Sequence, residues 1–294
     1  IYLFLHHKKI KLENIYTFNS LENFSSFSII QLLIFSFVFA SIGSFTASII
    51  FRISPNSDNS NNLNILFPRS FCPSCKLTIK PLHLLPIFSF IVLRGKCSYC
   101  NNKISVFYPL TEIFFLLIGL VNLYIYGISI FLIFNIILIF LFYILFFMDL
   151  RFYRLPLTIN IMLVAFGFIG NYFFNVFYDI DSYILNMSPL HFSLYGFLIG
   201  YISLWFINYL FKKVYKKNGI GGGDFILFGG LGSIFGPFSL SIILLLGSIL
   251  GITLYILFRK EFNEQIPFGS CLILGSITFF LLKKFELLDY FLVI

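Results

Sequence analysis

An all-α polytopic membrane protein, with about eight transmembrane helices and a small cysteine-bearing insertion after the first, is the fold that this chain predicts. Three observations carry that expectation. The 294 residues are 59% hydrophobic and 11% charged, with a mean hydropathy of +0.95, a composition that excludes a soluble globular domain. The apolar residues fall in stretches long enough to cross a bilayer, about 17–25 residues each. The connections between them alternate in charge.

The stretches are taken in order. Residues 1–27 are mixed polar and apolar, without the apolar core and small-residue cleavage site of a signal peptide. They form an extension to which no role is assigned. The chain opens on Ile1 rather than methionine, and its true start is expected upstream. Candidate spans follow at 28–51, 110–128, 130–149, 156–178, 190–211, 224–236 with its flanks, 238–258 and 266–282. The sixth is short and glycine-rich. No internal repeat is evident.

Positive charge sorts by connection. After the first span come Arg52, Arg69, Lys76, Lys80, Arg94, Lys96 and Lys103. Arg151 and Arg154 follow the third, Lys212, Lys213, Lys216 and Lys217 the fifth, and Arg259 and Lys260 the seventh. These are most of the 20 Lys and Arg residues; the other side holds Lys8, Lys9, Lys11, Lys283, Lys284 and the acidic 179–181 connection. The positive-inside bias makes the richer side cytoplasmic and puts both termini outside. The net charge of +8 is thereby read as topology. Membrane lipid is the expected surroundings, and no nucleic-acid partner is expected.

One connection is large enough to fold by itself. Residues 52–108 open with a polar, turn-rich stretch at 54–64, expected to be flexible, and then carry Cys72-x-x-Cys75 and Cys97-x-x-Cys100. Two such pairs at this spacing read as a tetrahedral, structural zinc site, each pair supplying two thiolates. Disulfides are the competing reading, disfavoured on a reducing cytosolic face. Four sulfurs leave no open position for a substrate. So short a segment builds little core, and the metal would supply its folding free energy. Cys271, inside the last span, reads as a small packing residue, and His83 as a solvated loop histidine.

Two acids stand where greasy segments end on the cytoplasmic side. Asp149 closes the apolar run 130–148; Asp224 follows Gly221-Gly222-Gly223 and opens another. Ionisable groups at membrane depth are costly and mark functional sites. The plain alternatives are a snorkelling acid at a helix end for Asp149 and a helix cap for Asp224. The triple glycine favours function, because it permits unusual backbone angles and a close approach to Asp224. If the two acids meet, they share one proton. The ionised member can then activate water while the protonated member binds the scissile carbonyl.

These residues resemble the type IV prepilin leader peptidases, GxGD-type membrane aspartic proteases. The similarity runs from about residue 41 to 282. It covers Gly43-Ser44-Phe45 with Arg52 and Pro55, both CxxC pairs, Tyr108-Pro109 with Glu112, and Asp149 followed by Leu155-Pro156. It continues through Gly223-Asp224-Phe225 to Pro267-Phe268-Gly269. The resemblance implies Asp149 and Asp224 as the catalytic dyad, with Gly221, Gly222 and Gly223 as the supporting loop. It implies Cys72, Cys75, Cys97 and Cys100 as metal ligands. The implied substrates are prepilins or pseudopilins, whose short basic leader is cut on the cytoplasmic face before an apolar helix. Many members then methylate the new N-terminus with S-adenosylmethionine. The chain departs from the family pattern at Ala47, at His83 and Leu84, at Leu157 and at Ile226.

The expectation is thus a multi-pass aspartic endopeptidase of the bacterial inner membrane, its active site facing the cytoplasm. Its parts would be the extension 1–27, a first transmembrane helix 28–51, a cytoplasmic zinc-binding region 52–108 and a membrane peptidase domain 109–294. The competing function is a transporter using the acidic pair as a proton relay. Transporters are often built from repeated halves, and a four-cysteine knuckle is unusual decoration for one. A non-catalytic assembly scaffold would have no need of both acids.

Overall fold

A computed structural model describes residues 27–55, 69–178, 187–217, 219–258 and 266–284. The extension 1–26, most of the polar 54–64 stretch and the 179–181 connection lie outside the described residues, as do Arg259 and Lys260. The described residues are helical, with isolated β-bridges only, at Phe71–Thr78 and Lys96–Lys103.

Eight helices occupy the eight apolar stretches: α1 Ile29–Ile53, α2 Phe107–Tyr126, α3 Ile130–Phe152, α4 Leu157–Phe174, α5 Pro189–Tyr215, α6 Gly222–Phe235, α7 Ser239–Phe258 and α8 Phe268–Lys284. Six are long and apolar enough to cross a membrane. The exceptions are α8, with 17 residues, and α6, with 14. At about 1.5 Å per residue α6 reaches only some 20 Å of the roughly 30 Å hydrocarbon layer. The eight helices agree with the eight stretches that the sequence suggested, and α6 is the short, glycine-rich one expected there.

Local signals set the helix ends. Ser28 and Gln31 form a capping box at the start of α1: the Gln31 N–H donates to Ser28 Oγ, and the Ser28 N–H donates to Gln31 Oε1 at 2.8 Å. The helix stops at extended Ser54, as expected for a residue before a proline. Asn175 caps α4 in the left-handed conformation, φ 49°.

The chain divides into two compact units within α3, after Phe140. In the first, α1 packs along α2, and Phe39, Leu123, Leu132 and Ile136 form a buried cluster. In the second, α6 is sandwiched between α4 and α5, α7 packs on α8, and α6 touches α7 and α8 only lightly. The α5–α6 contact is made by backbone: a Cβ on Gly196 would collide with the Gly232 carbonyl, and one on Gly232 with that of Gly196. Small residues permit such approach between membrane helices, where packing rather than water drives association. At the far end of α6, the fully buried Asn171 of α4 places Nδ2 3.0 Å from Ser193 Oγ and from the carbonyls of Ser233 and Ile234. Its Oδ1 accepts the Phe177 N–H at 3.0 Å. Helix-end carbonyls that water cannot reach are thereby satisfied.

Candidate active site and metal centre

Three segments of the second unit converge on Asp149 and Asp224. Asp149 lies in the last turn of α3 and is 5% exposed. Its Oδ2 accepts the Ser270 backbone N–H at 2.6 Å, and the Ser270 hydroxyl lies 3.1 Å from the same oxygen and 2.9 Å from the Phe146 carbonyl. Ser270 belongs to the first turn of α8, so the carboxyl of Asp149 sits at a helix N-terminus, where unpaired N–H groups and the helix dipole favour negative charge.

Asp224 occupies the first turn of α6 and its Oδ2 accepts the N–H of Gly221, the capping residue, at 3.2 Å. It therefore reaches back to the cap rather than forming it. The triple glycine takes no unusual backbone angle at its head: Gly221 has φ −72°, and none of the three has positive φ. Their smallness matters instead. Gly222 has open space beside it, while a Cβ on Gly223 would stand 2.9 Å from Leu155 Cβ.

Gly269 brings the acids together. A Cβ at this position would lie 3.1 Å from Asp149 Oδ2, 3.1 Å from Asp224 Oδ1 and 3.0 Å from Leu155 Cδ1. The two carboxyl oxygens are thus no further apart than twice that distance. Leu155 wedges against both Gly223 and Gly269, which explains why Leu155-Pro156 accompanies the acids. Sequence reasoning missed Ser270 and Asn208. Asn208 of α5 accepts the Gly219 and Ile220 N–H groups at 2.9 and 3.0 Å, fixing the approach to the glycines. A serine after Pro267-Phe268-Gly269 was the only available signal for the first.

The four paired cysteines also converge. Their sulfurs all lie within 4.8 Å of one another, with Cys72 and Cys100 Sγ 3.8 Å apart. This cluster could hold a metal. Each pair sits on a knuckle of the same design. The Cys72 N–H donates to the Leu77 carbonyl and the Lys76 N–H to that of Cys72; Cys97 N–H donates to Asn102 and Asn101 N–H to Cys97. Lys76 and Asn101 both turn through positive φ, 60° and 55°. The knuckles are a structural repeat that the sequence shows only as matching cysteine spacing. Backbone N–H groups of Cys100 and Tyr99 hold the Cys97 thiol down to about 7. Cys100, despite the Asn102 backbone donor, is pushed up to about 11 by burial and the neighbouring sulfurs. A bound dication would deprotonate all four.

His83 is not a member of the cluster. It is half-buried and its Nδ1 lies 3.2 Å from Ser98 Oγ, tying the segment between the knuckles to the second one. Glu112 is 7% exposed, and its Oε2 accepts the Ile87 N–H at 2.7 Å. It pins the short helix Phe88–Val92 to α2 rather than offering charge at the surface. Cys271 is 1% exposed and packs toward Gly251 of α7, the packing role expected of it.

Residues 37–126 match the bacterial peptidase A24 N-terminal domain, and residues 135–256 match the type IV leader peptidase family. A prepilin leader peptidase/N-methyltransferase of Legionella pneumophila is 34% identical over 219 residues, 73% of this chain and 72% of the relative. The chain belongs to the type IV leader peptidase family. Two further leader peptidases of the same description agree: that of Neisseria gonorrhoeae is 33% identical, over 73% of this chain and 71% of the relative. That of Pseudomonas aeruginosa is 32% identical, over 72% and 71%. No solved structure matches the chain. The family's match over 135–256 contains both Asp149 and Asp224, and the N-terminal match contains the four knuckle cysteines.

Proposed function

We propose that this leader peptidase is an aspartic endopeptidase of the bacterial inner membrane that removes the basic leader of prepilins or pseudopilins on the cytoplasmic face, with Asp149 and Asp224 as its dyad. The observation that carries this reading is the pair of carboxyl groups meeting across Gly269. Like charges so close share a proton, so one acid is ionised while the other is protonated. The ionised acid takes a proton from water, whose oxygen attacks the scissile carbonyl carbon. The protonated acid hydrogen-bonds the carbonyl oxygen as negative charge develops there. Collapse of the tetrahedral adduct breaks the C–N bond, and a proton passes to the departing amine. The pair titrates as a unit, and neither residue is the permanent base.

The metal of the four-cysteine cluster is zinc, held for structure: four thiolates fit its tetrahedral preference and close its shell. The parts of the chain follow from this: 28–51 as the first transmembrane helix, 52–108 as the cytoplasmic metal-binding region and 109–294 as the membrane peptidase domain. A second activity, N-methylation of the new N-terminus, is supported by the N-methyltransferase named in the relatives. When bound, S-adenosylmethionine supplies a methyl carbon on positive sulfur that the freed α-amino group can attack.

The test replaces either acid with asparagine, which keeps size and loses ionisation. Asp149→Asn and Asp224→Asn proteins, purified in detergent, are incubated with a full-length prepilin and the released leader is followed by mass. Cleavage is expected to fall at least 10³-fold in each, the scale seen when a catalytic group is removed. Full activity in either would remove the dyad, and a proton-dependent solute flux in its place would favour the transporter.

A further inference from the structure

The segment that carries the knuckles bears charge of one sign. From Arg69 to Val106 there are six Lys and Arg residues and no Asp or Glu. Set among them is bare apolar surface: Leu82, Phe88, Ile91 and Val92 are each more than half exposed. In the short helix Phe88–Val92 the last three stand at i, i+3 and i+4, which puts them on one face. Phe90, on the opposite face, packs over Gly95. Exposed apolar surface rimmed by charge marks a face that binds something.

The depth of this helix is set by α2. With 20 residues, α2 is about 30 Å long, which matches the hydrocarbon layer without excess. Its first turn therefore lies at the boundary between acyl chains and headgroups. Glu112 stands in the second turn, and helix side chains lean back toward the helix start. Its Oε2 accepts the Ile87 N–H at 2.7 Å, so Ile87 is tied beside that first turn. Ile87 has φ 61°, a left-handed conformation that a β-branched residue rarely takes. The pinned turn holds Phe88–Val92 beside the point where the chain enters the membrane.

We propose that Phe88–Val92 is an interfacial anchor. It lays Phe88, Ile91 and Val92 into the boundary of the leaflet, while the exposed Arg94 and Lys96 meet anionic lipid phosphates. Charge and depth both select lipid as the occupant. A basic leader, or a second copy of this surface, would bring like charge to the cations. On α2, Leu110, Ile113 and Phe114 are exposed to lipid close to the same level, so anchor and span offer apolar surface side by side. The second knuckle starts directly after the cations, at Cys97, and is thereby held against the leaflet. The anchor depends on α2 crossing the membrane, not on which leaflet its first turn reaches and not on peptidase activity.

Fluorescence depth measurement on the full-length protein in lipid nanodiscs tests it. Trp205 is the single tryptophan, so Trp205→Phe leaves a background without an indole emitter. Phe88→Trp or Ile91→Trp is placed in it, with Ser74→Trp at an exposed position of the first knuckle as the water-facing control. An unchanged melting temperature certifies the fold of each variant. With brominated acyl chains, emission from positions 88 and 91 is expected to fall by about half, as for a face some 5–10 Å into the boundary. Position 74 should keep its emission there and be quenched by aqueous acrylamide instead. In discs mixing phosphatidylglycerol with phosphatidylcholine, brominating only the anionic lipid should quench position 91 about twice as strongly as brominating only the other. Arg94→Gln combined with Lys96→Gln should erase that difference. Positions 88 and 91 as open to acrylamide as position 74 would put the face in water and overturn the anchor. Shielding from both quenchers would mean that protein covers it, and would overturn the anchor equally. Equal quenching by the two lipids with Arg94 and Lys96 in place would overturn the phosphate contacts.

Discussion

The Ser270 backbone N–H donates to Asp149 Oδ2 at 2.6 Å, across 121 residues of chain. One acid of the pair is thus oriented by the opening turn of a different helix. That turn also contains Gly269, where a Cβ would meet an oxygen of each acid. The start of α8 is therefore part of the candidate active site although it bears no ionisable group.

Gly269→Ala places a methyl group 3.1 Å from an oxygen of each acid. That is tighter than ordinary contact, and both carboxyl groups must shift by a few tenths of an ångström. Small misplacements of catalytic groups cost up to about 10²-fold in rate. We expect kcat for leader cleavage to fall roughly 10- to 100-fold, with KM little changed. Steady-state kinetics on purified prepilin measures both, and wild-type kcat would show that the acids are further from Gly269 than described.

Ser270→Ala removes the hydroxyl 3.1 Å from Asp149 but keeps the backbone donor. The loss should be milder, about 3- to 10-fold in kcat, on the scale of one ordinary hydrogen bond. Ser270→Pro would remove the backbone donor as well, and its activity is expected to drop well below that of the alanine variant. Equal rates in the two variants would contradict the orienting role of the N–H.

The metal is tested by content and consequence. Native protein should carry about one zinc per chain, as a single four-sulfur site requires. Cys72→Ser or Cys97→Ser should lower that content and expose residues 69–104 to limited proteolysis, while α4 to α8 stay protected. Four thiols titrating freely in untreated native protein would rule the site out.

Asn171→Leu leaves the Ser233 and Ile234 carbonyls without their side-chain donor and the Phe177 N–H without its acceptor. Buried polar groups left unpaired cost about 1–3 kcal/mol each. The variant should unfold at lower denaturant in detergent, by about 3 kcal/mol or more in all. Stability equal to wild type would mean that these groups find other partners.

The topology is checked by labelling. Single cysteines beside Lys216 and in the 179–181 connection, in a background without reactive native thiols, should react with an impermeant reagent from opposite sides of the membrane. Labelling of both from the periplasm would refute the cytoplasmic placement of the acids.

The helices were legible because their signal is massive: an apolar stretch such as 130–148 can hardly be anything but buried in lipid. The convergence of the four cysteines was legible too, since two matched pairs at this spacing suit one four-sulfur cluster. Less could be read where meaning depends on what lies opposite. The glycines before Asp224 were expected to supply unusual backbone angles and a close approach; the angles are ordinary, and the close approach is that of Leu155 to Gly223. Glu112 was legible only as a companion of Tyr108-Pro109, and its partner is the Ile87 N–H. Neither partner is near in sequence.

The packing of the second unit has a mechanical consequence. Asp224 belongs to α6, locked at backbone distance to α5 and packed on α4. Asp149 is bonded to α8, which packs on α7. The two acids thus ride on different rigid groups, and the seam between those groups is the weakly packed one. A shear along that seam, of the kind that admits ligands between packed helices, would change the gap between the carboxyl groups at the same time. Entry of a substrate helix there and assembly of the catalytic pair would then be one movement, and an enzyme with its seam open would hold two acids but no dyad.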